Sequence, residues 1–184
     1  MRKIIFFYLI INFFSISYAI NKEDIIKNFS KINNLTFSFT QTINGKDESG
    51  ECIIAYPKKI FCKYNLRFNK VLVSNGKSVA IKSDKNNQYY RYPLKSTPLL
   101  YLLDKDFILR KINNLKLLSL KDKYFYFSID QEGQVINLFF DKKSLDLIGW
   151  QTEDIFQNLT VTRIYNIKKN SVIDEKIFML PSTN

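Results

Sequence analysis

An all-apolar helix start inside a chain of strands limits what this sequence can become. Thr97-Pro98 is followed by Leu99, Leu100, Tyr101, Leu102 and Leu103. Thr97 suits a helix N-cap, and Pro98 suits the first helical position, where its missing N–H costs nothing. The run leaves no polar face, so the helix must be buried or must cover something apolar.

The surrounding pattern is β. Leu35-Thr-Phe-Ser-Phe-Thr-Gln41 alternates, with Leu35, Phe37 and Phe39 on one face and Thr36, Ser38 and Thr40 on the other. Gly50–Tyr56 and Ile60–Leu66 read as a hairpin about Pro57-Lys58-Lys59. Centred on Pro57, it sets Cys52 opposite Cys62. Two readings stand there: a cross-strand disulfide, or two buried free thiols. Further strands are predicted at Lys70–Ser74, Val79–Lys82, Gln88–Tyr92, Lys123–Ile129, Gln134–Phe140, Leu145–Thr152, Ile155–Lys168 and Ile177–Leu180. Helices are predicted at Asn21–Ile32, with Asn21 and Asp24 as a capping pair, at the Thr97 segment and at Asp106–Lys111. The sum is about eleven strands and three short helices, with no linker or repeat.

The first residues point to export. Arg2 and Lys3 precede an apolar run from Ile4 to Phe14, and Ser17-Tyr18-Ala19 places small residues at a cleavage site. This pattern predicts a signal peptide over residues 1–19, cleaved after Ala19, and one domain over 20–184. No cysteine follows Ala19 directly, so a lipid-anchored mature end is not expected. The net charge of +11 suits anionic membranes or acidic protein patches. The plainer reading is a drift in composition toward Lys, Asn and Ile. Export argues against nucleic acid as a partner. The sequons at Asn28, Asn34 and Asn158 read as chance in so Asn-rich a chain.

Histidine is absent, which removes the commonest general base and the commonest metal ligand. Two cysteines cannot form a structural zinc site without other ligands. No cofactor, metal or catalytic residue is expected. The carboxylate pairs Glu23-Asp24 and Glu153-Asp154 are adjacent in sequence, which on a strand would face them apart. An exported hydrolase is therefore the weakest reading.

Sequential antiparallel strands of this length close into a barrel or curl into a half-barrel. Aromatics make up 15% of the chain, so one inner face would be rich in large apolar groups. A closed barrel fills that space with its own side chains. An open one needs a cover, and the Leu99–Leu103 helix suits that part.

The order of motifs resembles the LolA family of periplasmic lipoprotein carriers. Phe37-Ser-Phe-Thr-Gln41 is similar to the family's F-x-F-x-Q strand, and Val73-Ser-Asn-Gly76 to its V-S-D-G. The spacing from Gly50 to Pro57 also agrees. Arg91-Tyr-Pro-Leu-Lys-Ser-Thr-Pro-Leu-Leu-Tyr-Leu-Leu103 is close to the R-Y-P-L-x-x-T-P-x-x-x-L-L of α-proteobacterial members. Gly149-Trp150, Asn158-Leu-Thr160 and Phe178-x-x-Pro181 add weaker support.

The resemblance implies an unclosed antiparallel β half-barrel lidded by three helices, with a cavity for the acyl chains of lipoproteins. It implies a monomeric periplasmic carrier that takes cargo from an inner-membrane ABC-type release complex and passes it to an outer-membrane acceptor. Phe37, Phe39, Ile54, Ile60, Leu99, Leu100, Leu102 and Leu103 are the expected cavity and lid residues; ordinary core packing is the alternative for each. The family carries arginine, thought to tie the lid shut, where this chain has Tyr56, making Tyr56 the expected latch position. Cys52 and Cys62 stand where large apolar residues are more usual. A related lipid-binding or envelope-sensing module is the second reading, although such proteins usually carry a further domain.

Overall fold

Strand β1 (Asn34–Ile43) lies at the centre of the molecule, and the chain leaves it in one direction and returns to it from the other. The computed structural model describes residues 22–65, 70–82, 88–120, 123–153 and 158–181. Helix α1 (Lys22–Ser30) precedes β1. From β1 the chain meanders through β2 (Lys46–Ala55), β3 (Lys59–Tyr64), β4 (Val71–Asn75), β5 (Ser78–Lys82) and β6 (Tyr89–Pro93). It then crosses by a 3-10 turn at Leu94–Ser96, α2 (Leu99–Leu102) and α3 (Lys105–Asn114). The return runs through β7 (Leu118–Leu120), β8 (Tyr124–Gln131), β9 (Gln134–Asp141), β10 (Leu147–Glu153) and β11 (Leu159–Lys169).

Among the described residues these eleven strands form one antiparallel sheet in the order β6-β5-β4-β3-β2-β1-β11-β10-β9-β8-β7. The edge strands β6 and β7 do not pair, so the sheet is an unclosed half-barrel. The crossover that joins those two edges carries the lid helices.

Inward residues alternate along β1: Leu35, Phe37 and Phe39 are each at most 2% exposed. Helix α1 lays Ile25 and Phe29 on this face, with Phe29 edge-on to Phe140 at 6.0 Å between ring centres. Helix α3 adds Ile108 and Ile112. Its N-cap is Asp104, whose carboxylate accepts from the Phe107 N–H at 2.9 Å. One half of the sheet is thus filled by α1 and α3, while α2 covers the other half.

Three expectations are refined. Thr97 does not cap α2 through its side chain; its hydroxyl donates back to the Leu94 carbonyl at 2.9 Å, while Pro98 sits in helical geometry. Asn21 and Ile155 lie outside the described residues. The strand expected at Ile177–Leu180 is a 3-10 turn over Glu175–Phe178, capped by the Asp174 carboxylate on the Lys176 N–H. Phe178 is 2% exposed there. Val73 and Ala80 on the outer face of β4 and β5 are buried, and the turn bearing Phe178 packs against β3 and β4. The Arg91 guanidinium donates to the Pro181 carbonyl at 2.8 Å and holds the end of that segment.

Candidate functional site

The β1 register sets out the site. On its inner face, Phe37 stands beside Cys52, and Phe39 lies between Gly50 and Ile164. The close approach at Phe39 needs glycine: a Cβ on Gly50 would lie 2.3 Å from the Lys63 carbonyl and 3.0 Å from the Phe39 ring. Beyond Phe39 the same face continues into Gln41, opposite Glu48 and Thr162, and then Ile43, opposite Thr160. The inner wall therefore changes from apolar to polar along one strand.

Between this wall and α2 lies a cavity of about 240 Å³. Phe39, Cys52, Ile60, Cys62, Leu72 and Trp150 form its apolar wall, and Pro98, Leu99 and Leu102 roof it. A narrow crevice continues from it, sharing Ile60, Leu99, Leu102 and Trp150 and adding Ile54, Tyr56 and Leu103. The volume falls below the roughly 300–1,000 Å³ usual for small-molecule sites. With α2 in this position, the apolar space is small.

The predicted residues separate on this map. Phe39, Ile60, Leu99 and Leu102 line the cavity. Ile54 and Leu103 line the crevice. Phe37 is buried edge-on to Trp150 at 6.1 Å and lines neither space. Leu100 is half-buried against the core and also lines neither. Cys52 and Cys62 are directly opposed on β2 and β3 and form a disulfide in the cavity wall.

Tyr56 makes no hydrogen bond to the lid. Its ring packs edge-on to Phe29 at 5.9 Å, and its hydroxyl is enclosed without a hydrogen-bond partner among the described residues. Burial holds the phenol well above its ordinary pKa. The tie to the lid comes from a neighbour, two residues along in the β2–β3 turn. The Lys58 N–H donates to the Leu103 carbonyl at 2.7 Å, and the Lys58 ammonium lies 3.3 Å from Asp104. The turn is itself pinned, because Ser74 Oγ donates to the Lys58 carbonyl at 3.1 Å.

Sequence reasoning missed Trp150, Leu72 and Ile81 in the wall, and the whole polar end. Alternation could have found Gln41, which continues the Leu35, Phe37, Phe39 face. The Thr162 and Thr160 positions depend on the pairing of β1 with β11. Among the described residues no group of three His, Cys, Asp or Glu side chains could hold a metal ion. No described helix is long and apolar enough to cross a membrane.

A family model described as outer membrane lipoprotein carrier protein LolA matches residues 30–181. No curated protein matches the sequence significantly. Among solved structures, an uncharacterized conserved protein from Thermus thermophilus is similar at a TM-score of 0.53 and 10% identity, with 86% of this chain and 93% of that chain covered. MucB is similar at a TM-score of 0.51 and 11% identity, with 88% of this chain covered; the match spans 63% of the MucB chain. A LolA superfamily protein from Nitrosomonas europaea aligns at a TM-score of 0.42 and 11% identity, over 88% of this chain and 99% of that one. At these identities the structural likeness speaks to fold alone.

Proposed function

Because the chain belongs to the LolA family, described as outer membrane lipoprotein carrier proteins, we propose that it is a periplasmic carrier whose cavity receives the acyl chains of lipoproteins. The observation that carries this reading is the apolar cavity roofed by Leu99 and Leu102 inside an unclosed sheet. Moving an acyl chain out of water yields about 0.8 kcal/mol per methylene, so a chain of about sixteen carbons gains on the order of 12 kcal/mol. A soluble carrier must cover such a chain and later release it. Broad apolar contact from Phe39, Ile60, Leu72 and Trp150 does this without chemistry at a reacting bond, so the reading needs no enzyme activity and no cofactor.

Cargo entry requires α2 to rise, because the closed cavity is too small for several chains. In this reading an inner-membrane ABC-type complex loads the raised lid, and an outer-membrane acceptor receives the cargo. Export follows from the leader at residues 1–19, with cleavage after Ala19. The protein works as a monomer.

The test is release of lipoproteins from membranes by the purified mature protein. Leu99→Asp and Ile60→Glu each place a charge in the cavity. Both are expected to abolish release while circular dichroism stays native. Unimpaired release by both variants would overturn the reading.

A second reading keeps the cavity and changes its purpose, to a module that senses lipids or lipoproteins in the envelope. The fold shared with MucB favours it. Binding of lipoprotein without release from membranes would select it.

A further inference from the structure

The polar end of the cavity is built as carefully as its apolar end. Gln41, Glu48 and Thr162 form one layer across β2, β1 and β11. Thr160 and Thr152 form the next, across β11 and β10. Thr162 is 2% exposed, Thr160 6% and Thr152 7%, and all three line the cavity. A buried hydroxyl seeks a partner, since leaving it unmade forfeits its hydration.

A chain of hydrogen bonds runs through this layer and stops at the cavity. The Tyr64 hydroxyl donates to Gln41 Oε1 at 3.2 Å, and Gln41 Nε2 donates to Thr162 Oγ1 at 3.1 Å. Each donor in such a chain strengthens the next. Thr162 accepts at its end, and among the described residues its own proton goes to no acceptor. The Thr152 hydroxyl makes no hydrogen bond among the described residues either. Two hydroxyl donors therefore face the cavity where its apolar wall ends.

Charge at this end disfavours an anionic ligand. The Lys70 ammonium is paired with Glu48 and stacked 4.1 Å from the centre of the Tyr64 ring. Glu153, at the end of β10, lines the same end. A phosphate would meet a cation already paired with a carboxylate. An uncharged carbonyl oxygen would meet hydroxyl donors.

We propose that this polar band seats the uncharged linkage of an acylated peptide, the ester and amide carbonyls that join acyl chains to the peptide, with Thr162 and Thr152 as donors. The band then orients the cargo: acyl chains run under α2 toward Trp150 and Ile60, and the peptide leaves past Glu153. This rests on the cavity being a lipid site.

The experiment compares three ligands on the mature protein by fluorescence titration and displacement. They are the apolar dye N-phenylnaphthylamine, a synthetic diacylated lipopeptide and phosphatidylglycerol. The variant is the double substitution Thr152→Val with Thr162→Val, and Thr152→Ser with Thr162→Ser restores the hydroxyls. The unmodified protein is expected to prefer the lipopeptide to phosphatidylglycerol. The valine variant is expected to lose about tenfold in lipopeptide affinity, the scale of one good hydrogen bond, and far less for the dye. The serine variant is expected to recover most of that loss. An equal loss for dye and lipopeptide, an unchanged lipopeptide affinity, or a preference for phosphatidylglycerol would overturn the proposal. If the unmodified protein bound neither dye nor lipopeptide, the lipid reading itself would fall, which is a different result from failure of the band alone.

Discussion

The backbone N–H of Lys58 donates to the Leu103 carbonyl across 2.7 Å, joining the β2–β3 turn to the C-terminal end of α2. The lid is thus held by a main-chain bond, reinforced by the ammonium of the same residue on Asp104. The ion pair is partly exposed, so its own stabilisation is within about 1 kcal/mol.

The tie predicts a division between two variants. Lys58→Ala keeps the main-chain bond and should lower stability by no more than about 1 kcal/mol. Asp104→Ala also removes the α3 cap and should cost about 1–2 kcal/mol. Hydrogen exchange read by mass spectrometry should show the α2 amides opening faster in Asp104→Ala than in Lys58→Ala. Equal protection in both would show that the lid does not depend on this corner.

Tyr56→Phe should stabilise the protein. The hydroxyl is enclosed with no partner among the described residues, and an unmade buried bond costs about 1–3 kcal/mol. Urea unfolding should show a gain on the order of 1 kcal/mol, allowing for relaxation around the ring. A loss of stability would mean that the phenol ties the lid after all.

Reduction of the Cys52–Cys62 disulfide should lower stability by about 2–3 kcal/mol, because the bond closes a short loop in the unfolded chain. The mechanism is entropic on that account, so the double alanine variant should match the reduced protein in thermal melting. A melting curve insensitive to reductant would contradict it.

The pH dependence has a definite sign at Asp141. The Ser144 backbone N–H bonds its carboxylate at 2.7 Å and the Lys143 N–H at 2.8 Å, and these hold its pKa below the ordinary 3.8. A lowered carboxylate stabilises the fold fully above its unfolded value and loses that contribution as pH falls through the folded one. The stability advantage of the natural protein over Asp141→Asn should therefore be constant near neutrality and shrink below about pH 4. Denaturant midpoints at several pH values would show it, and an advantage that grows in acid would refute it.

How far the sequence could be read depends on how local each signal was. Leu35, Phe37 and Phe39 announce β1 because strand alternation is written in neighbouring residues. Cys52 and Cys62 could be paired because one turn fixes their register. The Leu99–Leu103 run could be read as a cover because no polar face was available to it. The Lys58 tie was not legible: it uses a main-chain donor, which every residue but proline supplies. Thr162 sits beside Gln41 only through the β1–β11 pairing, a contact 121 residues apart in the chain. The Ile177–Leu180 segment reads as a strand by its apolar residues, but Phe178 is buried where its turn packs against β3 and β4 instead of extending the sheet.

Native mass spectrometry of the protein purified from the compartment to which it is exported decides whether the cavity carries lipid. A population carrying the added mass of a lipid or acylated polypeptide is expected, and it should be lost in Leu99→Asp. Bare protein under all conditions, with no uptake of an added diacylated lipopeptide, would contradict it.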